Sequence, residues 1–135
     1  MRENGLVSVQ SRSAAPETME RLLAALAKRS LTVFARVDHA AGAVSIGLPL
    51  RPTELVIFGN PKGGTALMQD QQSAGLDLPL KALVWADAGG KVWLSYNAQN
   101  YLYQSAYARH GAPRQGELID RTEQLLGAIT DAAVR

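Results

Sequence analysis

The chain has 135 residues, of which 47% are hydrophobic and 19% charged, a composition typical of one globular domain with its own core. It contains no cysteine, which excludes disulfides, thiolate metal sites and cysteine nucleophiles. The formal net charge is +2 and the arginines are scattered, so no nucleic-acid-binding surface is indicated. Because no apolar run approaches the roughly 18 residues of a membrane span and no signal peptide is visible, we expect a cytoplasmic protein without membrane association.

The first third of the chain predicts two strands separated by a helix. Residues 6–9 indicate a short strand, and residues 31–37 alternate, which predicts a strand with one fully buried face. A helix of about four turns begins at Pro16, because apolar side chains then recur at helical spacing: Met19, Leu22, Leu23 and Leu26. Residues 39–47 are ambiguous: their alanines favour a short helix capped by Asp38, whereas Gly42 weakens it.

The rest of the chain predicts three further strands and three helices. Residues 55–58 form a continuous apolar run, which predicts a strand buried on both faces. A loop over 59–64 leads into a short helix over 65–72 with Thr65 as its N-cap. Residues 80–86 and 91–96 predict a β-hairpin around a turn with two glycines. Helices over 98–109, ended by Gly111, and over 115–134 complete the chain.

These elements together predict an α+β fold. We expect a single compact domain over residues 1–135, with a core at about 5–130. Its sheet has about five strands, largely antiparallel or mixed, with helices packed on it.

The segment from Gly59 to Thr65 is the strongest candidate for a binding site. It follows a buried strand and precedes a helix, which is the arrangement of a phosphate cradle. Backbone N–H groups, a lysine and a hydroxyl there can hold an anion, and the residues concerned are Asn60, Lys62, Gly63, Gly64 and Thr65. The segment is not a Walker A motif, because Lys62 precedes both glycines. The alternative is an ordinary turn that Asn-Pro begins and Thr65 ends by capping the helix.

Three other polar residues are candidates outside this segment. Asp38 and His39 end a strand, where a carboxylate and an imidazole can act as acid and base, so they are the candidate catalytic residues. Adjacent strand residues point to opposite faces, however, and Asp38 is equally suited to capping the next segment. Asp77 either holds a turn before the strand at 80 or faces the Lys62 loop as an acid.

Other patterns narrow the chemistry further. The two histidines are far apart and lack neighbouring ligands at metal-binding spacing, so we expect no metal and no other cofactor. No Gly-x-Ser-x-Gly nucleophile motif occurs. Six of the eight aromatic side chains lie within residues 85–107, where they favour hairpin packing, with ligand stacking or a subunit interface as alternatives.

Several strings of residues resemble the domain-of-unknown-function 302 family. The most specific are Phe-Gly-Asn-Pro-Lys at 58–62 and Asp-Leu-Pro-Leu at 77–80, and the similar segments are 33–39, 47–55, 57–68, 76–81 and 90–96. The resemblance spans about residues 5–130 and implies a compact α+β domain that forms homodimers. It implies no established activity, so no catalytic role is carried over. The positions that match the family are Asp38, His39, Asn60, Lys62, Thr65, Asp77 and Lys81.

Three functional hypotheses follow from the sequence. The first is a homodimeric binding module that holds a small anionic ligand at Asn60–Thr65, with Asp38, His39 and Asp77 nearby. The second is an enzyme of unassigned reaction that uses Asp38 or His39 as a base and Lys62 to stabilise an anion. The third is a structural or interaction domain in which these polar residues only maintain the fold.

Overall fold

An antiparallel sheet organises the computed structural model, which describes residues 2–111 and 116–135. Its strands in chain order are β1 (Arg2–Glu3), β2 (Leu6–Ser11), β3 (Thr32–Asp38), β4 (Thr53–Gly59), β5 (Leu80–Ala86) and β6 (Val92–Asn97). Their order across the sheet is β1-β2-β6-β5-β4-β3, and each neighbouring pair is antiparallel. Five strands of six or seven residues and one short edge strand confirm the predicted α+β fold and sheet size.

The described residues also form five α-helices and two 3-10 segments, and the last two of these helices follow the final strand. The helices are α1 (Ala15–Lys28), α2 (His39–Ser45), α3 (Pro61–Asp70), α4 (Gln99–Ser105) and α5 (Gly116–Val134). The 3-10 segments are Gln72–Leu76, which follows α3, and Tyr107–His110, which follows α4. Within residues 2–111 and 116–135, no helix combines the length and apolar character needed to cross a membrane.

The core lies between one face of the sheet and the pair formed by α1 and α5. The apolar stripe predicted for the first helix is the buried face of α1, and Leu22 and Leu26 are fully buried. Alternate residues of the central strands meet these helices, including Phe58 and Leu94, which are also fully buried. Burying a leucine side chain contributes about 2 kcal/mol relative to exposure, so this layer provides most of the fold's stability.

The opposite side of the sheet, which we call the outer face, carries a pair of stacked tryptophans. Trp85 and Trp93 are directly cross-strand, with ring centroids 6.3 Å apart and planes at 25°. The Trp85 indole N–H donates to Ser95 Oγ at 2.8 Å, and the Trp93 indole N–H donates to Asp87 Oδ2 at 2.9 Å. Both indole N–H groups therefore have hydrogen-bond acceptors within the chain, which supports the prediction of hairpin packing for these two aromatic side chains.

Two predictions about strand burial are wrong for the single chain that the structure contains. Strand β3 was expected to bury one face, but all seven of its residues are exposed. In β4, Val56 and Phe58 are fully buried, whereas Leu55 and Ile57 are only half-buried, so the strand is not buried on both faces. Both differences have one cause: β3 lies at the sheet edge, and the described helices α1 and α5 pack on the face opposite to Leu55 and Ile57.

The segment predicted as one helix over 98–109 is divided in the structure. Helix α4 ends at Ser105, Ala106 has φ −119°, and a 3-10 turn follows. Gly111 has φ +77°, so the prediction that it ends this segment in the left-handed conformation is confirmed. The predicted start of the last helix at Gln115 lies outside the described residues, and α5 is described from Gly116.

Candidate ligand-binding cavity

A large apolar cavity opens at the end of the sheet where β4 ends and β5 begins. Its volume is about 940 Å³, and helices α3, α4 and α5 contribute to its wall. Apolar side chains dominate the lining, among them Leu31, Phe34, Leu67, Met68, Leu78 and Leu125. Cavities of about 300–1,000 Å³ with apolar walls and a few polar groups are typical of small-molecule sites.

The segment singled out in the sequence forms part of this wall. Asn60, Lys62, Gly63, Gly64 and Thr65 all line the cavity. They are not a loop, however, because α3 begins at Pro61 with Asn60 as its N-cap, four residues before the predicted start. The reason is local: the Asn60 side chain accepts from the Lys62 N–H at 3.0 Å, and proline is favoured in the first turn. Thr65 therefore lies inside the helix and is not its cap.

This cap changes the predicted anion cradle. Asn60 accepts hydrogen bonds from the first N–H groups of the helix. Besides the bond from Lys62 to its side chain, its backbone carbonyl accepts from the Gly63 N–H at 3.1 Å and from the Gly64 N–H at 3.3 Å. Donors that already have partners contribute less to holding an anion. The positive group that remains at this end of α3 is the Lys62 side chain, which forms no ion pair with another described residue.

The charged side chains that line the cavity are both basic. They are Lys62 and Arg121, and among the described residues no acidic side chain lines it. Arg121 Nη2 lies 2.9 Å from Glu117 Oε1, and this exposed pair lowers the pKa of Glu117 through a hydrogen bond. Exposed pairs of this kind stabilise little. Because Glu117 offsets the charge of Arg121, the lining combines an apolar body with the positive charge of Lys62, which fits an anionic group better than a cationic one.

Asp77 belongs to a cluster beside the cavity and does not line it. Arg109 Nη2 donates to Asp77 Oδ2 at 2.9 Å and to Oδ1 at 3.0 Å, and His110 Nε2 contacts the same carboxylate. Ser73 Oγ lies 2.8 Å from His110 Nδ1. We call Ser73, Asp77, Arg109 and His110 the Asp77 cluster. Hydrogen bonds from His110 and then Arg109 hold the pKa of Asp77 below its ordinary value.

The Asp77 cluster contains a hydroxyl, an imidazole and a carboxylate in one hydrogen-bonded chain. Such a chain is the core of a nucleophilic triad, but a triad also needs a substrate site beside the hydroxyl. Ser73 does not line the cavity, so the cavity provides no substrate site beside this hydroxyl. The Asp77 cluster therefore has a structural role: it joins the 3-10 segment Gln72–Leu76 to the 3-10 segment Tyr107–His110.

Tyr107 lies between the Asp77 cluster and the cavity. It is buried and lines the cavity, and it belongs to the same 3-10 segment as His110. Burial, with a smaller contribution from the negative charge of Asp77, raises the pKa of Tyr107 to about 12. The hydroxyl is therefore neutral at physiological pH and can donate a hydrogen bond.

Asp38 and His39 lie at the other end of the sheet from Lys62. Asp38 is paired with Glu54 at the start of β4, whereas Asn60 and Lys62 follow the end of that strand. Five residues of strand separate the two ends by about 17 Å. Asp38 accepts from the Ala41 N–H at 2.9 Å and caps α2, and His39 is exposed. The hypothesis that these residues act together with Lys62 therefore has no geometric basis.

Fold and cavity together define a compact α+β domain with an apolar, ligand-sized cavity. The chain belongs to the family described as domain of unknown function DUF302, whose model matches residues 7–132. A crystal structure of an uncharacterised conserved protein DUF302 from Bacillus stearothermophilus has the same fold, with a TM-score of 0.79 over 97% of this chain and 98% of that chain. The identity is 20%, so this likeness concerns the fold alone.

Curated relatives match a shorter part of the chain at higher identity. Fluoride-specific ion channel FluC 1 of Brucella suis biovar 1 (strain 1330) is 54% identical over 102 residues, which are 76% of this chain and 40% of the relative. FluC 1 of Brucella abortus biovar 1 (strain 9-941) is also 54% identical over 102 residues, and the match covers 38% of it. The matched part thus spans about two fifths of these relatives.

Proposed function

We propose that this domain binds a small amphipathic organic anion in the cavity beside α3. The apolar part of the ligand lies against the leucine, phenylalanine and methionine side chains of the wall, and its anionic group lies near Lys62. One observation carries the proposal: the cavity of about 940 Å³ has an apolar lining whose charged members are both basic. The ligand-binding residues expected from the sequence at Asn60–Thr65 form one side of it.

The geometry of α3 supports this ligand class. Gly63 has open space where a Cβ would lie, and a Cβ on Gly64 would meet Leu78 and Met68 only at 3.8–3.9 Å. The absence of side chains at these two positions leaves room between α3 and the rest of the wall. A ligand that fills this space is held mainly by burial of apolar area, which contributes about 25 cal/mol per Å².

Fluorescence titration with 8-anilinonaphthalene-1-sulfonate tests the proposal, because this probe joins an apolar ring system to one negative charge. We expect saturable binding to the native protein and competition by decanoate. Lys62→Gln removes the charge and should weaken binding about fivefold, whereas Lys28→Gln on α1 should leave it unchanged. Equal affinities for the two variants would contradict the role of Lys62.

A second pair of variants tests the cavity itself. Gly64→Leu places a large side chain against Leu78 and Met68 and should abolish binding by occupying the space. Gly127→Leu is the matched control, since Gly127 is also within a helix, has open space around it and does not line the cavity. Undiminished binding by the Gly64 variant would exclude this cavity as the ligand site.

We also propose that the protein is a homodimer, as the family resemblance implies, and that the subunits meet through β3 and α2. Large apolar side chains are exposed along this part of the chain, and we call them the β3–α2 surface: Val33, Phe34, Val37, Val44, Ile46, Leu48 and Leu50. Several large apolar side chains exposed on neighbouring segments are typical of a protein interface. Within the described part of the chain, no strand pairs with the outer edge of β3.

Helix α2 supports this choice of surface. It has seven residues and none of them is buried, and a helix this short is marginal in water unless it packs against something. Phe34, which is 51% exposed, belongs both to this surface and to the lining of the cavity. A second copy on the β3–α2 surface would therefore also cover part of the cavity mouth.

Sedimentation velocity tests the dimer. The wild-type protein should sediment as a dimer at micromolar concentration, and Ile46→Gln should shift it toward the monomer, because Ile46 is 72% exposed on the proposed interface. Leu76→Gln is the control, since Leu76 is 77% exposed on a different segment. A monomeric wild type, or equal dimerisation of both variants, would contradict the proposal.

A second candidate function rests on the similarity to the Brucella proteins. We propose that the domain acts together with a fluoride-specific ion channel, because relatives named for that activity contain a segment 54% identical to this chain. More than half of each relative lies outside the match, so the segment accompanies a larger remainder. Fluoride efflux from liposomes tests this, with full-length Brucella suis FluC 1 compared with a variant that lacks the matched segment. Equal efflux rates would count against the candidate.

A further inference from the structure

Two segments distant in sequence close the same side of the cavity. Residues 71–79 contribute Gly75 and Leu78 to the lining, and residues 103–110 contribute Tyr103 and Tyr107. Within the described part of the chain, no backbone hydrogen bond joins these two segments. Side-chain contacts of the Asp77 cluster join them instead, across separations of 32 and 33 residues for the Asp77 pairs.

We propose that Asp77 is a positioning residue that holds this cavity wall closed, and that ligand exchange requires the Asp77 cluster to open. This inference rests on the proposed function, because it assigns the route by which the ligand of that cavity is admitted and released. Asp77 acts through the wall and does not touch the ligand.

The geometry of Asp77 makes it the central connection. Its carboxylate accepts from both Arg109 and His110 of the second segment, so one side chain of residues 71–79 makes both charge-assisted contacts. The side chain of Asp77 is 18% exposed and that of His110 is 7% exposed. The His110 contact is therefore sheltered and stronger than that of an exposed pair, whereas the Arg109 side chain is 56% exposed.

The residues of the Asp77 cluster are close in sequence to residues that line the cavity. Leu78 directly follows Asp77, and Tyr107 lies in the same 3-10 segment as Arg109 and His110. Separation of Asp77 from His110 therefore moves lining residues of both segments apart. Elements with few backbone contacts to the rest of the fold are the ones that open at low free-energy cost.

Stopped-flow fluorescence of 8-anilinonaphthalene-1-sulfonate tests the proposal on the full chain. Asp77→Asn should raise the dissociation rate of the probe about fivefold, because the amide keeps the shape but loses the charge. Asp87→Asn is the matched control: Asp87 also has a lowered pKa and several hydrogen bonds, but it does not line the cavity or touch the Asp77 cluster. Arg109→Gln gives a second, milder test of the same connection.

Hydrogen exchange of the ligand-free variants makes the test independent of the probe. Backbone amides of residues 72–76 and 107–110 should exchange about fivefold faster in Asp77→Asn than in the wild type, with α1 unchanged. If the wild type binds no probe, the proposed function fails, and the exchange rates still decide whether Asp77 holds the wall. Unchanged exchange, or a lowered melting temperature with an unchanged dissociation rate, would overturn the inference.

Discussion

Two buried threonines allow a test of how polar groups are accommodated in the core. Thr18 is fully buried and Thr130 is 2% exposed, and both lie in the helices that cover the sheet. Thr18 Oγ1 lies 2.6 Å from Ser11 Oγ and 3.0 Å from the Ala14 carbonyl oxygen. Thr130 Oγ1 is buried and has no hydrogen-bond partner among the residues that the structure describes. The same substitution, threonine to valine, should therefore have opposite effects at the two positions.

Thr130→Val should stabilise the protein. The change replaces an unpaired hydroxyl by a methyl group of similar size, and helix propensity is nearly equal for the two residues. A buried hydroxyl without a partner costs about 1–3 kcal/mol, and the added apolar group contributes about 0.8 kcal/mol. Some relaxation offsets these gains, so we expect the free energy of unfolding to rise by about 1–2 kcal/mol and the melting temperature by about 4–7 °C.

Thr18→Val should destabilise the protein by about 1–2 kcal/mol, because it removes two hydrogen bonds and leaves the Ser11 hydroxyl without one partner. Urea unfolding followed by circular dichroism measures both variants, with the slope of the transition checked for two-state behaviour. Changes of the same sign and size in the two variants would show that hydrogen-bond partnership does not control the stability of these sites.

Three further predictions concern the core, the start of α3 and the acid stability of the fold. Leu94→Ala should lower the free energy of unfolding by about 3–4 kcal/mol, because Leu94 is fully buried, whereas Leu76→Ala should change it by less than about 0.5 kcal/mol. Asn60→Ala should cost about 1 kcal/mol by removing the cap of α3, and an unchanged urea midpoint would contradict the assigned cap. The pKa of Asp77 is lowered mainly by a hydrogen bond from His110, and the pKa of Asp87 mainly by one from Trp93. Both carboxylates therefore stabilise the fold at pH values above the ordinary carboxyl pKa. Stability should fall as the pH drops below about 4, and Asp87→Asn should make that fall shallower in a pH series of thermal melts.

The sequence predicted those parts of the fold whose signals are local. The hairpin of β5 and β6 follows from two apolar runs around a turn that contains Gly89 and Gly90, and these residues settle the pairing without reference to the rest of the chain. Helix α1 follows from its apolar stripe. The prediction that β3 buries one face was wrong, because the exposure of a strand depends on what packs beside it. An alternating pattern does not specify that neighbour.

The candidate site was predicted only in part, because some of its contacts are local in sequence and others are not. Asn60, Pro61 and the glycines after them are suited both to a turn and to a capped helix, and the Asn60–Lys62 hydrogen bond decides for the helix. Asp77 was identified as a candidate, but its partners Arg109 and His110 were not, because 32 and 33 residues separate them from Asp77 and no spacing rule connects them. Contacts between distant segments depend on the fold as a whole.

The stacked tryptophans of the outer face determine what optical measurements on this protein report. Trp85 and Trp93 are the two tryptophans of the chain, and both belong to one hairpin. Their indole transitions are close enough to couple, so the near- and far-ultraviolet circular dichroism should carry a signature of this pair that disappears when the hairpin separates. Intrinsic tryptophan emission therefore monitors the sheet, whereas the cavity is lined by Tyr103 and Tyr107 and needs an external dye.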